Sequence, residues 1–192
     1  MQLSERAKLL IPQARIVSFT AWEKKYPQEL IAIFQAADDD GRYLNDEDLV
    51  QITCLFPTLS VAVQQARLLQ EKATELVANT RELVLVKFPQ ITEPKGELYP
   101  PERAEACWRD FWHFLRCITY GIAGQTPDFT SAKGLANMQL LYQELQVPLE
   151  PMIYGLEELK TICLKQLKIG EEYLLAAYFD HLIYCLQDFE AS

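Results

Sequence analysis

Apolar side chains recur at three- and four-residue intervals through most of this 192-residue chain. This spacing places them on one face of an α-helix, whereas half-buried strands would show alternation of apolar and polar residues. One clear stripe lies in residues 19–37 and another in the C-terminal segment. The apolar positions are Trp22, Tyr26, Leu30, Ile33 and Phe34 in the first stripe, and Leu174, Leu175, Tyr178, Phe179, Leu182, Ile183 and Leu186 in the second. No segment shows sustained alternation, so the sequence predicts an all-α fold of about eight helices.

Prolines and capping residues divide this helical pattern. Pro12 interrupts residues 4–17, which predicts a first helix that is broken or begins at the proline. Asn45 precedes three acidic residues and is therefore the predicted N-cap of a helix that ends near Phe56. In residues 60–88 the stripe continues without a break, which predicts one long helix of about 43 Å.

A proline-rich loop follows the long predicted helix. The prolines and the glycine of residues 89–101 prevent a helix there, and loops of this length in compact domains are often functional. Pro101 is well placed in the first turn of the next helix, which is predicted to end between Gly121 and Gly124. Asp128 is the predicted cap of a further helix that runs to about Leu145.

Composition restricts the classes of partner and compartment. The length is typical of one domain with a substantial core, and no apolar run approaches the ~20 residues that span a bilayer. A net charge of −9 argues against nucleic acid as a partner, because phosphate binding needs clustered Lys and Arg. The N-terminal residues lack a secretory signal, and the five cysteines lack CxxC spacing. Together these features predict free thiols in the reducing cytoplasm.

The densest chemistry lies in the predicted helix that follows the loop. On a helical projection Cys107, Asp110, Phe111 and Phe114 share one face, so the thiol and the carboxylate are neighbours one turn apart. Arg109 points about 160° away from Phe111 and would have to curl its long stem back toward a ligand on that face. The proline-rich loop can fold over the same face. This set suits an elongated, apolar, conjugated ligand with N–H donors for the carboxylate and acidic tails for the guanidinium.

The residues alone leave other interpretations open. The same helix could be an amphipathic core helix with an incidental cysteine. An enzyme would need a base for Cys107, and His113 lies about 240° round the helix, so we expect no enzyme. His113 and Cys117 are too few ligands for a structural zinc site, and the Asp38 turn lacks the glutamate of a calcium loop, so no metal is expected. A haem sensor would use His113 or His181 as its axial ligand.

Several motifs together resemble the phycobiliproteins, the light-harvesting subunits of cyanobacteria and red algae. Cys107-x-Arg109-Asp110 followed by Leu115-Arg116-x-Ile118-Thr119-Tyr120 is similar to the family's CxRD…LRxVTY chromophore helix. Ala37-Asp38-Asp39-Asp40-Gly41-Arg42-Tyr43-Leu44 resembles its ADSQGRFL turn, and Val86-Lys87-Phe88-Pro89 its NKFP sequence. Ala177-Tyr178-Phe179-Asp180-His181-Leu182-Ile183 resembles its closing helix. The order and spacing of these motifs make the resemblance more specific than any one of them.

The resemblance implies a globin-like phycobiliprotein fold with an extended N-terminal helical pair. It places an N-terminal extension that packs on a partner subunit in residues 1–37 and the globin-like domain in residues 38–192. It further implies a phycobilin, a linear tetrapyrrole such as phycocyanobilin, in a thioether to Cys107. Asp110 would accept hydrogen bonds from the central pyrrole nitrogens, and Arg109 would meet a propionate. Asp38 and Arg116 correspond to residues that pair across the family's subunit interface.

These implications define the expected biology. The chain would form homo- or heterodimers with phycobiliprotein-like subunits and act in or alongside the phycobilisome, in light harvesting or its regulation. It would lie in the cytoplasm, peripheral to the thylakoid membrane through its partners. Ala106 replaces a lysine that often precedes the family's cysteine, and Trp108, Trp112 and His113 replace smaller or tyrosyl residues. These departures indicate a divergent member, and they leave a bilin-free interaction module and a haem sensor as alternatives.

Overall fold

The computed structural model describes residues 3–167 and 172–189 of the chain. Within these ranges the protein is built from nine α-helices joined by turns, loops and three 3₁₀ segments. The helices are α1 (Glu5–Leu10), α2 (Gln28–Asp39), α3 (Asp46–Leu55), α4 (Ser60–Glu71), α5 (Ala73–Lys87), α6 (Pro101–Ala123), α7 (Ala132–Leu145), α8 (Leu149–Leu164) and α9 (Glu172–Gln187). In the described ranges the only extended pairing is an isolated antiparallel bridge between Val17 and Thr130. The predicted all-α fold is confirmed, and none of these helices is long and apolar enough to cross a membrane.

Local sequence signals account for several helix ends. Asn45 caps α3 as predicted: its side chain accepts from the Asp48 N–H while the Asp48 carboxylate accepts from the Asn45 N–H. Pro12 lies in a 3₁₀ turn, Ile11–Gln13, that follows α1, so the predicted interruption is also confirmed. Pro101 occupies the first position of α6, where its missing N–H has no consequence for the helix.

Two of the predicted boundaries are wrong. The long helix over residues 60–88 is broken at Lys72, which separates α4 from α5. Here α4 packs against α6 whereas α5 packs mainly against α8, and one straight helix could not follow both neighbours. Ser131, rather than Asp128, caps α7 by accepting from the Gly134 N–H. The Asp128 carbonyl instead accepts a hydrogen bond from a distant tryptophan.

The second half of α6 forms the centre of the molecule. Every residue from Phe114 to Ala123 is buried, and α4, α5, α8 and α9 pack around the helix. At its end Gly124 is required by a close contact, since a Cβ there would lie 2.3 Å from the ring of Trp22. This stretch is therefore fixed by packing on all sides.

An aromatic anchor (Phe19, Trp22 and Tyr26) attaches the N-terminal region to the end of α6. The Trp22 indole donates to the Asp128 carbonyl at 2.8 Å, and the Tyr26 hydroxyl donates to the Gly124 carbonyl at 2.8 Å. Residues from both sides of position 37 belong to one hydrophobic core. The domain boundary between residues 1–37 and 38–192 stays a prediction, and the extension packs on its own chain.

Residues 4–17, which we call the N-terminal strap, lie across α7. Ser4 donates from its hydroxyl to Glu144 at 2.7 Å near one end of the strap, and Asn137 donates to the Gln13 carbonyl at 3.3 Å. At the other end the Ser131 N–H donates to the Ile16 carbonyl at 2.7 Å. The strap thus runs along the same helix that faces the first half of α6.

Candidate ligand-binding site

A cavity of about 620 Å³ lies between α6, α7 and the N-terminal strap. One face of α6, from Glu102 to Cys117, supplies one wall, and α7 supplies Met138, Leu141, Tyr142 and Leu145. The strap closes the remaining side with Ile11, Ala14, Arg15, Ile16 and Val17. The volume falls in the range of sites for small molecules and cofactors.

The proline-rich loop does not form part of this cavity, although we expected it to fold over the Cys107 face. None of residues 89–100 lines the cavity. Ile91 and Leu98 of the loop are instead buried in the hydrophobic core. The strap and α7 cover the face in place of the loop, and the sequence pattern of α6 alone contains no signal for them.

Cys107 and Asp110 both line the cavity, as their spacing predicts. Cys107 is 3% exposed. Burial and the Asp110 carboxylate raise the pKa of its thiol to about 12, against the opposing effect of Arg103. The thiol is therefore protonated at neutral pH and reacts slowly unless its surroundings change.

Asp110 receives a hydrogen bond across the cavity from the neighbouring helix. The Tyr142 hydroxyl of α7 donates to its Oδ2 at 2.8 Å. Burial raises the pKa of Asp110 to about 6, while the Tyr142 hydrogen bond and the charge of Arg109 limit the rise. At pH 7 the carboxylate is mostly ionised and can accept further hydrogen bonds.

The arginines of α6 bring unsatisfied donors to the site. Arg109 lines the cavity from an exposed position. Arg103 and Arg116 also line it, and the Nε atom of each is buried without a hydrogen-bond partner. In the described part of the chain only one other side-chain nitrogen or oxygen, Nε1 of Trp108, is buried without a hydrogen-bond partner. Buried donors are nearly always satisfied in native proteins, so these atoms suit a ligand with acceptor groups.

The positions of Arg103 and Arg116 give the cavity a long axis. They are separated along α6 by about 20 Å at the usual helical rise, with Cys107 and Asp110 between them. Our sequence reasoning missed Arg103, although its position one turn before Cys107 could have identified it. It also missed Arg15 and Tyr142, which reach the site only through the tertiary fold.

Asp38 and Arg116 form an ion pair inside one chain. Arg116 Nη1 donates to Asp38 Oδ1 at 2.9 Å, and the two residues are 8% and 5% exposed, respectively. Arg15 of the strap donates to the other Asp38 oxygen at 2.7 Å, and Arg116 also donates to the Tyr120 hydroxyl at 2.7 Å. The predicted role of Asp38 and Arg116 between subunits stays a prediction. In this chain their pairing joins the strap, α2 and α6.

The two histidines have different surroundings. His113 lines the cavity, and burial together with Arg116 and Arg109 lowers its pKa, so the imidazole is neutral at pH 7. His181 lies outside the cavity, where its Nε2 is 2.8 Å from the Thr130 hydroxyl and its ring packs against Phe129. Only His113 could therefore meet a ligand in this cavity. In the described ranges no group of three His, Cys, Asp or Glu side chains could hold a metal ion.

Comparison of the sequence with known proteins assigns this chain to a family. The sequence profile "Phycobilisome protein" matches residues 32–186. The allophycocyanin alpha-B chain of Synechococcus sp. is 30% identical over 147 residues, which cover 77% of this chain and 90% of the relative. The allophycocyanin beta chain of Aglaothamnion neglectum is 27% identical over 153 residues, which cover 80% and 94%. The strap precedes the matched range. The chain therefore belongs to the phycobilisome protein family of light-harvesting phycobiliproteins.

Proposed function

We propose that this protein binds a phycobilin covalently at Cys107 and acts in or alongside the phycobilisome, in light harvesting or its regulation. The observation that carries this proposal is the placement of three groups on one cavity wall. These are a thiol, a carboxylate one turn away and guanidinium groups, two of which have an unsatisfied Nε atom. The family assignment supports the same chemistry, because it makes a light-harvesting role the expected one.

The cavity fits a linear tetrapyrrole in size and in chemistry. Its volume of about 620 Å³ and its extension along α6 match an elongated ligand rather than a compact one. Apolar side chains of the strap and α7 would face the conjugated rings. The ligand supplies visible absorption when it is bound, and the protein holds it in one extended shape.

Cys107 would anchor the ligand by adding its S–H across an exocyclic alkene. The sulfur forms the C–S bond and the proton goes to the neighbouring carbon, so no oxidant or reductant is needed. With a thiol pKa of about 12, only on the order of one molecule in ten thousand carries a thiolate at pH 8. We therefore expect attachment to need a lyase that exposes and activates the thiol.

Asp110 and Arg109 would orient the ligand once it is anchored. The ionised Asp110 carboxylate can accept two pyrrole N–H groups while Tyr142 keeps it in place. Arg109 would form a bidentate pair with a propionate at the open side of the cavity. The neutral imidazole of His113 lies on the same wall and would add a polar contact without a charge.

The proposal also covers partners and location. We expect assembly with phycobiliprotein-like subunits, as a homodimer or heterodimer, at the cytoplasmic surface of the thylakoid membrane and without nucleic acid. A bilin-free protein that uses only this assembly surface is the alternative function. A haem sensor is the second alternative, because His113 lines the cavity.

Co-expression with bilin-synthesis enzymes and a lyase tests the proposal. We expect a coloured protein whose colour stays with the chain on a denaturing gel. The colour should be lost in Cys107→Ala and kept in Cys117→Ala, which removes a second thiol from the same cavity. Colourless protein under these conditions would contradict bilin attachment and leave the interaction module. A Soret band on haem addition that is lost in His113→Ala but kept in His181→Ala would favour the haem sensor.

A further inference from the structure

One wall of the cavity is formed by a segment outside the family match. The match covers residues 32–186, whereas Ile11, Ala14, Arg15, Ile16 and Val17 of the strap all line the cavity. These residues face the same space as Cys107 and Asp110. The strap therefore forms part of the site.

The strap also helps to enclose the attachment thiol. Cys107 is 3% exposed, and it meets the cavity that the strap closes on one side. An elongated ligand, or the reactive end of one, must enter this cavity before it reaches the sulfur. With the strap in place, Arg109 lies at an exposed edge of the cavity, and Cys107 is almost fully enclosed.

The contacts that hold the strap are weaker than those of the aromatic anchor. Only Ala7, Leu10 and Ile16 of the strap are buried, while Leu9 is 67% and Ile11 46% exposed. Its side-chain bonds to Glu144 and Asp39 lie at the surface, where each contributes little, while the Arg15 bond to Asp38 reaches a buried carboxylate from a half-exposed guanidinium. Segments with few buried apolar contacts open locally at low free energy, before the rest of the fold.

Gly134 of α7 sets how closely the strap can dock. A Cβ at this position would lie 1.8 Å from the carbonyl oxygen of Arg15. Beside it, Val17 and Thr130 form an antiparallel pair flanked by the hydrogen bonds Ser18 N–H to Phe129 O and Ser131 N–H to Ile16 O. This pattern is that of a non-hydrogen-bonded pair, whose side chains lie close enough for a disulfide.

We propose that the strap is a movable wall of the ligand site, which swings away to admit the ligand to Cys107 and closes over it afterward. When closed, the strap sets the shape of the site through Ile11, Ile16 and Val17. Arg15 fastens it to Asp38 and Asp39 at 2.7 and 2.8 Å. The identity of the ligand rests on the proposed function above, whereas the movement of the wall does not.

Alkylation of the cysteines of the intact, ligand-free chain tests this proposal without a bilin. Each site is followed by peptide mapping after treatment with a small maleimide. Cys54 is exposed and serves as the fast reference, while Cys163 is fully buried and reports opening of the whole fold. We expect Gly134→Ala to raise the alkylation rate of Cys107 about tenfold or more while Cys163 does not change. The matched control is Lys133→Ala, one residue earlier on α7, where no change is expected.

A reversible lock provides the converse test. The lock is Val17→Cys/Thr130→Cys made together with Cys185→Ala, because the Cys185 thiol lies within hydrogen-bond reach of Thr130 and would compete for the new cysteine. The oxidised protein should alkylate at Cys107 at least tenfold more slowly than its reduced form, and reduction should restore the rate. The lock remains informative if Gly134→Ala does not fold. Equal Cys107 rates in the locked and reduced forms would overturn the movable wall. If the rates follow the strap but no bilin attaches, the wall stands and the bilin proposal falls. If a bilin attaches to the locked protein as fast as to the reduced protein, the movable wall is overturned and the bilin proposal stands.

Discussion

The two halves of α6 differ in how deeply their side chains are buried, and therefore in what a substitution should change. From Phe114 to Ala123 every residue is buried. From Pro101 to His113, exposed positions such as Glu102 and Arg109 alternate with buried ones such as Cys107 and Phe111. The second half is fixed by packing, and its substitution should cost stability. The first half depends on distant elements for its chemistry, and substitution of its less buried cavity residues, such as Arg109 and Asp110, should change reactivity or titration more than folding.

The largest effect should come from the buried ion pair in the second half. Asp38→Asn removes the negative charge that the buried Arg116 and Arg15 share and leaves one acceptor oxygen where there were two, and neutralising one member of a buried pair costs about 3–5 kcal/mol. Urea denaturation gives the loss in the free energy of unfolding. Asp40→Asn is the control, since its carboxylate is 67% exposed and pairs with Arg42, so less than about 1 kcal/mol is expected. Equal losses in the two variants would show that the second half is open to water.

The next effect compares truncation in the two halves directly. Ile118→Ala removes a side chain that is 0% exposed, and the cavity it leaves should lower the free energy of unfolding by about 3 kcal/mol. Arg109→Ala, in the first half of the same helix, should change it by less than about 0.5 kcal/mol because the residue is exposed. Chemical denaturation measures both. A large loss for Arg109→Ala would contradict the division of α6 into a core half and a site half.

A smaller effect, specific to the first half, depends on pH. The pKa of Asp110 is about 6 in the fold and 3.8 ordinarily, so between these values the folded chain binds more protons than the unfolded one. The contribution of protonated Asp110 to the free energy of unfolding is therefore fully present below about pH 4, and it is lost as the pH rises through 6. Relative to Asp110→Asn, the wild type should lose on the order of 2–3 kcal/mol between pH 4 and pH 7. Denaturation curves at several pH values give this difference, and a flat difference would mean that the carboxylate is solvated.

A similar contrast, between features set by neighbouring residues and features set by distant ones, explains how much of the fold could be predicted from the sequence. The helix starts at Asn45 and Pro101 and the apolar stripes depend on neighbouring residues, so pattern analysis finds them. The break at Lys72 depends on α4 and α5 packing against different helices. The cap at Ser131 was missed because Asp128 has the same capping chemistry, while the chain uses the Asp128 carbonyl for Trp22.

The candidate site divides in the same way. Cys107 and Asp110 are one turn apart, and helix geometry alone predicts that they share a face. Which elements cover that face could not be predicted, because Arg15 and Tyr142 reach it from far away in the sequence. Asp38 and Arg116 were recognised as a pair through the family resemblance. Their pairing within one chain is a property of the tertiary fold.

The path of the strap has a consequence for the order in which a new chain becomes compact. Ser4 and Glu144, which it joins, are 140 residues apart in the sequence. The N-terminus is made first, yet its docking surface on α7 exists only after most of the chain has been synthesised. Contacts that close such long loops form late, because the loss of chain entropy must be balanced by structure already in place. We therefore expect a nascent chain to present its thiol before the strap docks, in a brief interval when delivery of a pigment would meet the least obstruction.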